Sequence, residues 1–405
     1  MNILLIDQYA GSPALGMEYR PFFLSKYWAK AGHRVLILAG CWSHLRRENP
    51  APGFYLEEGV RFRFLRTPKY RGNGAARAAN VFSFAAGLSA PGLLGGFCPD
   101  VVIDSSTHPF AFRQSRRIAR RFGAKLVFEL HDLWPLSPIE LYGFSENHPL
   151  MRLIWRRERE AFTQSDLVVS ILPFCQKFLQ EKGLGSVRAL HIPNGIDEQQ
   201  HGEVLPEEHR AAIAQIRKDF PFLVLYAGGF SEANAVSDLP ELALALPGAA
   251  VAAAGNGPGA DWLRGRAAQI KNFFVLPPVP YASVASLLAE ADCLFLSAKA
   301  NGIYRYGVAM NKLFDYLLAA RPVVFACNQP SNPVADSGCG ATVPAGNPAA
   351  AADAIRRLMA RSPGVRALLG SRRREYACAH HSYRIISAQF QSAMEGLFNE
   401  TKKTG

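Results

Sequence analysis

The sequence predicts two doubly wound α/β domains, each built on a parallel sheet with helices on both faces. Three observations carry that expectation. Apolar runs of strand length alternate with helix-like segments, the pattern of parallel sheets buried on both sides. The runs form two sets, parted by a Pro193-Asn194-Gly195 turn and a polar tail that read as a linker. A chain of 405 residues, 49% hydrophobic and 19% charged, is too long for one compact core and suits two domains of about 200 residues each.

Taken in order, the first set is ILLID (3–7), RVLILAG (34–40), DVVIDSS (100–106), KLVFEL (125–130) and DLVVSIL (166–172). The second is FLVLYAGG (222–229), AAVAAAG (249–255), NFFVLPPV (272–279), DCLFLSA (292–298), PVVFACN (322–328) and the short ATV (341–343). Domain limits of 1–197 and 198–377 follow, with a helix at about 378–400 crossing back to the first domain and a cleft shared by the two. The stretch Ala78 to Pro99 carries no charge, but Asn80, Pro91, Gly87, Gly92, Gly95 and Gly96 make it a poor membrane-spanning helix. A helix and loop, interfacial in one reading, is expected there.

Seven scattered cysteines (Cys41, Cys98, Cys175, Cys293, Cys327, Cys339, Cys378) with no C-x-x-C pair argue against a disulfide framework or a zinc site, and reducing cytosol is the simplest compartment. The start of the chain has no basic prelude or small-residue cleavage site, so no signal peptide is expected. Charge is uneven: residues 1–195 hold 25 Lys and Arg against 15 Asp and Glu, a net +10 of the chain's +12. That half is expected to meet an anionic partner, a membrane surface or a phosphate-bearing substrate. Nucleic acid is not the expected partner, because no stacking platform or binding motif is interleaved with the basic residues.

The most informative stretch is YRYGVAMNKLFDYLLAARP, 304–322. Arg305, Asn311, Lys312 and Asp315 gather at the start of an apolar helix just before a buried strand. A diphosphate needs cations and a helix start, and a ribose diol needs a bidentate acceptor; a surface ion pair is the plain alternative. Gly228-Gly229 and Gly255 end the first two strands of the second set, where ligands approach such sheets. Pro278-Val279 forms a rim that either holds a nucleobase or is a rigid proline turn. In the first set, the turn containing Gly16 offers backbone to a diphosphate or is an ordinary loop. His131-Asp132 follows the fourth strand, where the histidine can exchange a proton and Asp132 can orient the imidazole or the loop; alternatively Asp132 caps a turn and His131 packs. Arg113, Arg116, Arg117, Arg120 and Arg121 share one helix face, read either as an anionic-lipid dock or as a solvated surface.

In this order the motifs resemble the retaining family 4 glycosyltransferases of the GT-B fold, two Rossmann-like domains about a cleft, and in particular the bacterial envelope-polysaccharide type. The likeness rests on GMEYRPFFLSKYWAKAGHRV (16–35), HDLWP (131–135), IPNGID (192–197) and YGVAMNKLFDYLLAARP (306–322). It implies transfer of a sugar from a UDP- or GDP-linked donor, with retention, to a glycan or lipid-linked acceptor, without cofactor or metal; no Asp-x-Asp occurs. By the same likeness His131 and Lys312, with Asp132, are the candidate catalytic residues, Gly16 nears the diphosphate, Pro278 and Val279 contact the base, and Asp315 holds the donor ribose. The first acid of the family's pair would fall at Gly307, and the Arg and Lys that clamp the diphosphate are absent from GGFSEANAVSD, so Arg305 or Lys312 has to replace them. Two other readings stay open: a non-catalytic nucleotide-sugar-binding subunit, or a nucleotide-sugar epimerase on the same fold. The expected location is the cytoplasm, peripheral on the inner face of the plasma membrane if the arginine face docks on lipid.

Overall fold

A computed structural model describes every residue except 73, 107, 199–201, 301, 330, 331 and 402–405. The chain forms two compact units: Met1–Pro193 with the segment from Tyr383 on, and Asn194–Ser382.

The first unit holds an eight-stranded sheet of β1 (Asn2–Ile6), β2 (Arg34–Gly40), β3 (Gly53–Glu57), β4 (Val60–Leu65), β5 (Val101–Ser106), β6 (Lys125–Leu130), β7 (Leu167–Ser170) and β8 (Ala189–His191). Its order is β3-β4-β2-β1-β5-β6-β7-β8, parallel except for the β3–β4 hairpin. The central strands are the continuous Val, Ile and Leu runs, with Leu4 in register with Leu36 on one side and Val102 on the other. The hairpin is absent from the sequence expectation for a physical reason. In β4 the apolar Val60, Phe62 and Phe64 alternate with Arg61 and Arg63, and in β3 Phe54 and Leu56 are 58% and 67% exposed. An edge hairpin wet on one face has period-two patterning and lacks the run of a doubly covered strand.

The helix Arg20–Lys30 packs against the last helix, Tyr383–Thr401. Trp28 is fully buried, donates from Nε1 to the Ser387 carbonyl at 2.9 Å and meets Phe390 edge-on at 5.3 Å. Phe23 stacks on Tyr383 at 4.9 Å. The helix expected at about 378–400 is in fact two: Pro363–His381 belongs to the second unit and Tyr383–Thr401 to the first, with the break at Ser382. The expected uniform arginine face is also modified. Arg113 binds Glu160 at 2.9 Å and Arg116 approaches it at 3.9 Å, because the helix Pro149–Gln164 brings that acid alongside.

The second unit carries β9 (Leu223–Ala227), β10 (Ala250–Ala254), β11 (Phe273–Leu276), β12 (Cys293–Ser297), β13 (Val323–Ala326) and β14 (Gly340–Val343), all parallel, in the order β11-β10-β9-β12-β13-β14. These are the six runs read from sequence. Among the described residues, no helix is long and apolar enough to cross a membrane.

Trp28→Ala should lower stability by about 3–5 kcal/mol through lost burial and the cavity left behind. Hydrogen exchange should then show the segment 383–401 losing protection more than β9–β14; equal loss in both would contradict this packing.

Candidate functional site

In the second unit the carboxyl ends of β9 and β10 meet at glycines. Gly228 and Gly255 have φ of +155° and +151°, and Gly228 N donates to the Ala254 carbonyl at 3.0 Å. A Cβ on Gly255 would stand 2.0 Å from the Gly228 oxygen, so the two turns pass only as glycines. The Gly229 carbonyl accepts from the Tyr226 hydroxyl and from Asn234 Nδ2, each at 2.8 Å. That hydroxyl accepts from Lys312 Nζ at 2.9 Å, and a Cβ on Gly228 would lie 3.1 Å from the same ammonium. Gly228, Gly229 and Lys312 thus come together.

Lys312 is the second residue of the helix Asn311–Leu318. Tyr316 fastens that helix to the end of β9, accepting from Ala227 N at 2.6 Å and donating to the Ala227 carbonyl at 3.1 Å. Asn194 holds its start, donating from Nδ2 to the Ala309 carbonyl at 2.9 Å and to Asn311 Oδ1 at 2.7 Å. Burial lowers the Lys312 ammonium from its ordinary pKa to about 7, and among the described residues it makes no ion pair. A desolvated cation without an acid, set against glycine backbone at a helix start, is suited to an anion.

The other residues of the expected clamp go elsewhere. Asp315 lines a groove of about 370 Å³ with Val284, Ser286, Leu318 and Arg374. Burial raises its carboxyl to about 7, and it has no side-chain hydrogen bond or ion pair among the described residues. Arg305 is exposed, its guanidinium 4.9 Å from the Tyr306 ring. The sequence argument joined Arg305, Lys312 and Asp315; the structure brings only Lys312 to the glycine turns, while Asp315, three residues on in the same helix, lines the other groove and Arg305 is exposed. Pro278 is exposed, and Val279 rests partly on the core of this unit. Gly307 is buried at φ +117°, so an acid there would be strained as well as desolvated.

In the first unit His131 sits in a charged network at the carboxyl end of β6. Arg20 is 1% exposed and Glu129 0%. Arg20 donates to Glu129 Oε1 from Nε at 3.0 Å and from Nη2 at 2.9 Å, and to the carbonyls of Pro193 at 2.5 Å and Ile192 at 3.1 Å. The other carboxylate oxygen, Oε2, accepts from Ser105 Oγ at 2.5 Å and lies 3.1 Å from His131 Nε2. Burial works against the Glu129 charge, but Arg20, His131 and Ser105 outweigh it and hold the carboxyl well below the ordinary range. Burial likewise opposes charge on His131, yet the bond to Glu129 and its negative field raise the imidazole pKa above the usual value. Desolvation pushes Asp7, at the end of β1, up to about 7, with His131 partly offsetting it. The result is an imidazole held in place beside acids, its protonated form favoured, and able to exchange a proton or make a hydrogen bond.

Asp132 orients the loop and not the imidazole. Its Oδ1 accepts from Leu133 N at 3.1 Å and from Ser137 Oγ at 2.7 Å, anchoring the start of the helix Leu136–Tyr142, while Glu129 and Ser105 hold the ring. Gly16, at φ +104°, lies against residues 46 and 47, where a Cβ would come 2.6 Å from the Arg47 nitrogen. Glycine is thus required there by backbone crossing alone.

Residues 16–195 match the family model of the Glycosyl transferase 4-like domain, and residues 221–361 match that of Glycosyl transferases group 1. Together the two matches span most of the chain, each falling within one unit or nearly so. The chain belongs to the glycosyltransferases of the GT-B type. Solved structures share the fold of this glycosyltransferase. A sucrose-phosphate synthase from Thermosynechococcus elongatus is 16% identical with a TM-score of 0.76, the match covering 99% of this chain and 100% of that one. HepE from Anabaena, in complex with UDP-glucose, is 16% identical with a TM-score of 0.65, covering 98% and 100%. WaaG, a glycosyltransferase involved in lipopolysaccharide biosynthesis, is 16% identical with a TM-score of 0.64, covering 98% and 99%. At that identity the likeness speaks for the fold. No curated protein matches the sequence.

Sequence reasoning passed over Arg20, Glu129, Ser105, Tyr226 and Asn194. Glu129 had a signal: a lone acid inside the apolar run KLVFEL has to find a buried partner. Arg20 is 109 positions away in the chain, a distance no local pattern bridges.

Replacing the carboxylate by an amide, Glu129→Gln, should lower the His131 pKa by about one pH unit or more, since the opposite charge that raised it is gone. An imidazole NMR titration checks this; an unchanged pKa would show that Glu129 does not govern the ring.

Proposed function

We propose that this glycosyltransferase moves a glycosyl group from a UDP- or GDP-linked sugar to a glycan or lipid-linked acceptor of the cell envelope, with retention at the anomeric carbon and without a metal. The observation that carries the reading is Lys312: a half-buried ammonium with no acid partner among the described residues, 2.9 Å from Tyr226 and against the Gly228 backbone. A donor diphosphate would supply the missing negative charge. The Gly228 and Gly229 turns would let its oxygens approach, and the start of the helix Asn311–Leu318 would add N–H donors. The Pro278-Val279 rim is the proposed seat of the base. Among the proteins of like fold, HepE in complex with UDP-glucose supports the donor class, and WaaG, involved in lipopolysaccharide biosynthesis, supports the acceptor class.

In the proposed step the bond from the anomeric carbon to the diphosphate oxygen breaks as the acceptor oxygen bonds to the same face. The acceptor proton passes to the departing phosphate, and Lys312 stabilises the charge that develops there. His131 is the proposed group of the first unit for a sugar hydroxyl, with Glu129 and Arg20 fixing its ring. The proposed location is the cytoplasm.

A second reading is a nucleotide-sugar-binding subunit without transfer activity, favoured by the buried glycine at position 307, where the family's first acid would stand.

Because the free Lys312 titrates near pH 7, donor binding should take up a proton and weaken as pH rises above 7, by up to about tenfold per pH unit. Below pH 7 the lysine is already charged and the dependence should flatten. Calorimetry with UDP and GDP in buffers of different ionisation enthalpy measures both effects. Lys312→Met should bind at least about tenfold more weakly and lose the pH dependence. Undiminished binding by this variant would refute the reading, and a wild type that binds donor but neither transfers nor hydrolyses it would favour the binding subunit.

A further inference from the structure

We propose that the groove between residues 88–98 and the helix Phe112–Phe122 binds an anionic lipid of a bilayer, its acyl chain lying in the groove and its headgroup meeting Arg117 and Arg121. The cavity has a volume of about 520 Å³ and is walled by Leu88, Leu93 and Phe97 on one side and Ile118 and Phe122 on the other. Residues 87–99 contain no charged side chain, and among the described residues no acid lines the groove.

The arginines of the helix divide by partner. Arg113 and Arg116 are drawn to Glu160, at 2.9 and 3.9 Å. Arg117 and Arg121 are exposed on the groove side and make no ion pair among the described residues; Arg121 lies 5.5 Å from the Phe122 ring. The apolar surface then continues to the sheet edge. Arg63 donates to the Gly92 carbonyl at 2.9 Å and stacks 4.9 Å from the Phe54 ring, and that ring closes on Gly95, where a Cβ would stand 3.2 Å away. Phe54 and Leu56 remain 58% and 67% exposed.

Charge complementarity selects the occupant. A small soluble anion has no use for a long apolar wall, and an uncharged amphiphile has no use for paired guanidinium groups lacking acids. An anionic headgroup with an attached chain uses both. The site shares no residue with the proposed donor site, so the two readings fail separately.

The test is flotation of the whole chain with vesicles of phosphatidylglycerol and phosphatidylcholine against vesicles of phosphatidylcholine alone. Wild type should float with the anionic vesicles only, less so at high salt. Arg117→Glu with Arg121→Glu should cut the bound fraction about tenfold or more, and Leu94→Glu, altering the apolar wall without touching a cation, should cut it too. Arg113→Ala should bind like wild type, because Glu160 already occupies that cation. Soluble glycerol phosphate at millimolar concentration should not displace the vesicles. Melting temperatures of the variants within a few degrees of wild type establish that they are folded. Failure of wild type to bind anionic vesicles, undiminished binding by the folded double variant, or full displacement by glycerol phosphate would overturn the proposal.

Discussion

A lysine ammonium largely withdrawn from water, with no carboxylate to meet it among the described residues, is the constraint from which the functional account follows. Removing such a charge from solvent is costly, and proteins ordinarily answer the cost with an acid or by losing the proton. Lys312 takes a hydroxyl partner, Tyr226, and a pKa lowered to about 7. The surrounding structure fixes it there: Tyr316 binds the helix to the end of β9, Asn194 binds its first residue, and Gly228, which Gly255 lets pass closely, puts backbone beside Nζ. Packing of the second unit is thus directed to presenting one positive charge to whatever brings a negative one.

The first unit meets the same physical problem with the opposite solution. Around His131 the buried charges are answered by partners, Arg20 by Glu129 and two carbonyls, Glu129 by Arg20, Ser105 and His131. The net effect is to fix one imidazole in orientation and to favour its protonated form. Each unit thus has its own way of accommodating a buried charge.

How far the sequence discloses this depends on the range of the interaction. The six strands of the second unit are continuous apolar runs because both faces of that sheet are covered, and they are readable for that reason. The β3–β4 hairpin is not, because its alternation and exposed Phe54 and Leu56 resemble loop composition. Lys312 and the glycine turns can be picked out by their places beside strands. The separation of Lys312 from Asp315 and Arg305 cannot, since residues near in sequence diverge once each has its own neighbours. Helical periodicity puts five arginines on one face, but Glu160, which claims two of them, comes from another helix. Asp132 anchors its loop, one of the options its position allows, while the residue that holds the ring, Glu129, is visible in the sequence only as an acid out of place.

The most direct test of the central claim is a crystal structure of the chain with UDP or GDP bound. The account predicts a pyrophosphate oxygen within about 3 Å of Lys312 Nζ, in hydrogen-bond or ion-pair contact with it, with further contacts to the Gly228 and Gly229 backbone. A nucleotide bound elsewhere, or one bound with Lys312 still facing only Tyr226, would contradict it.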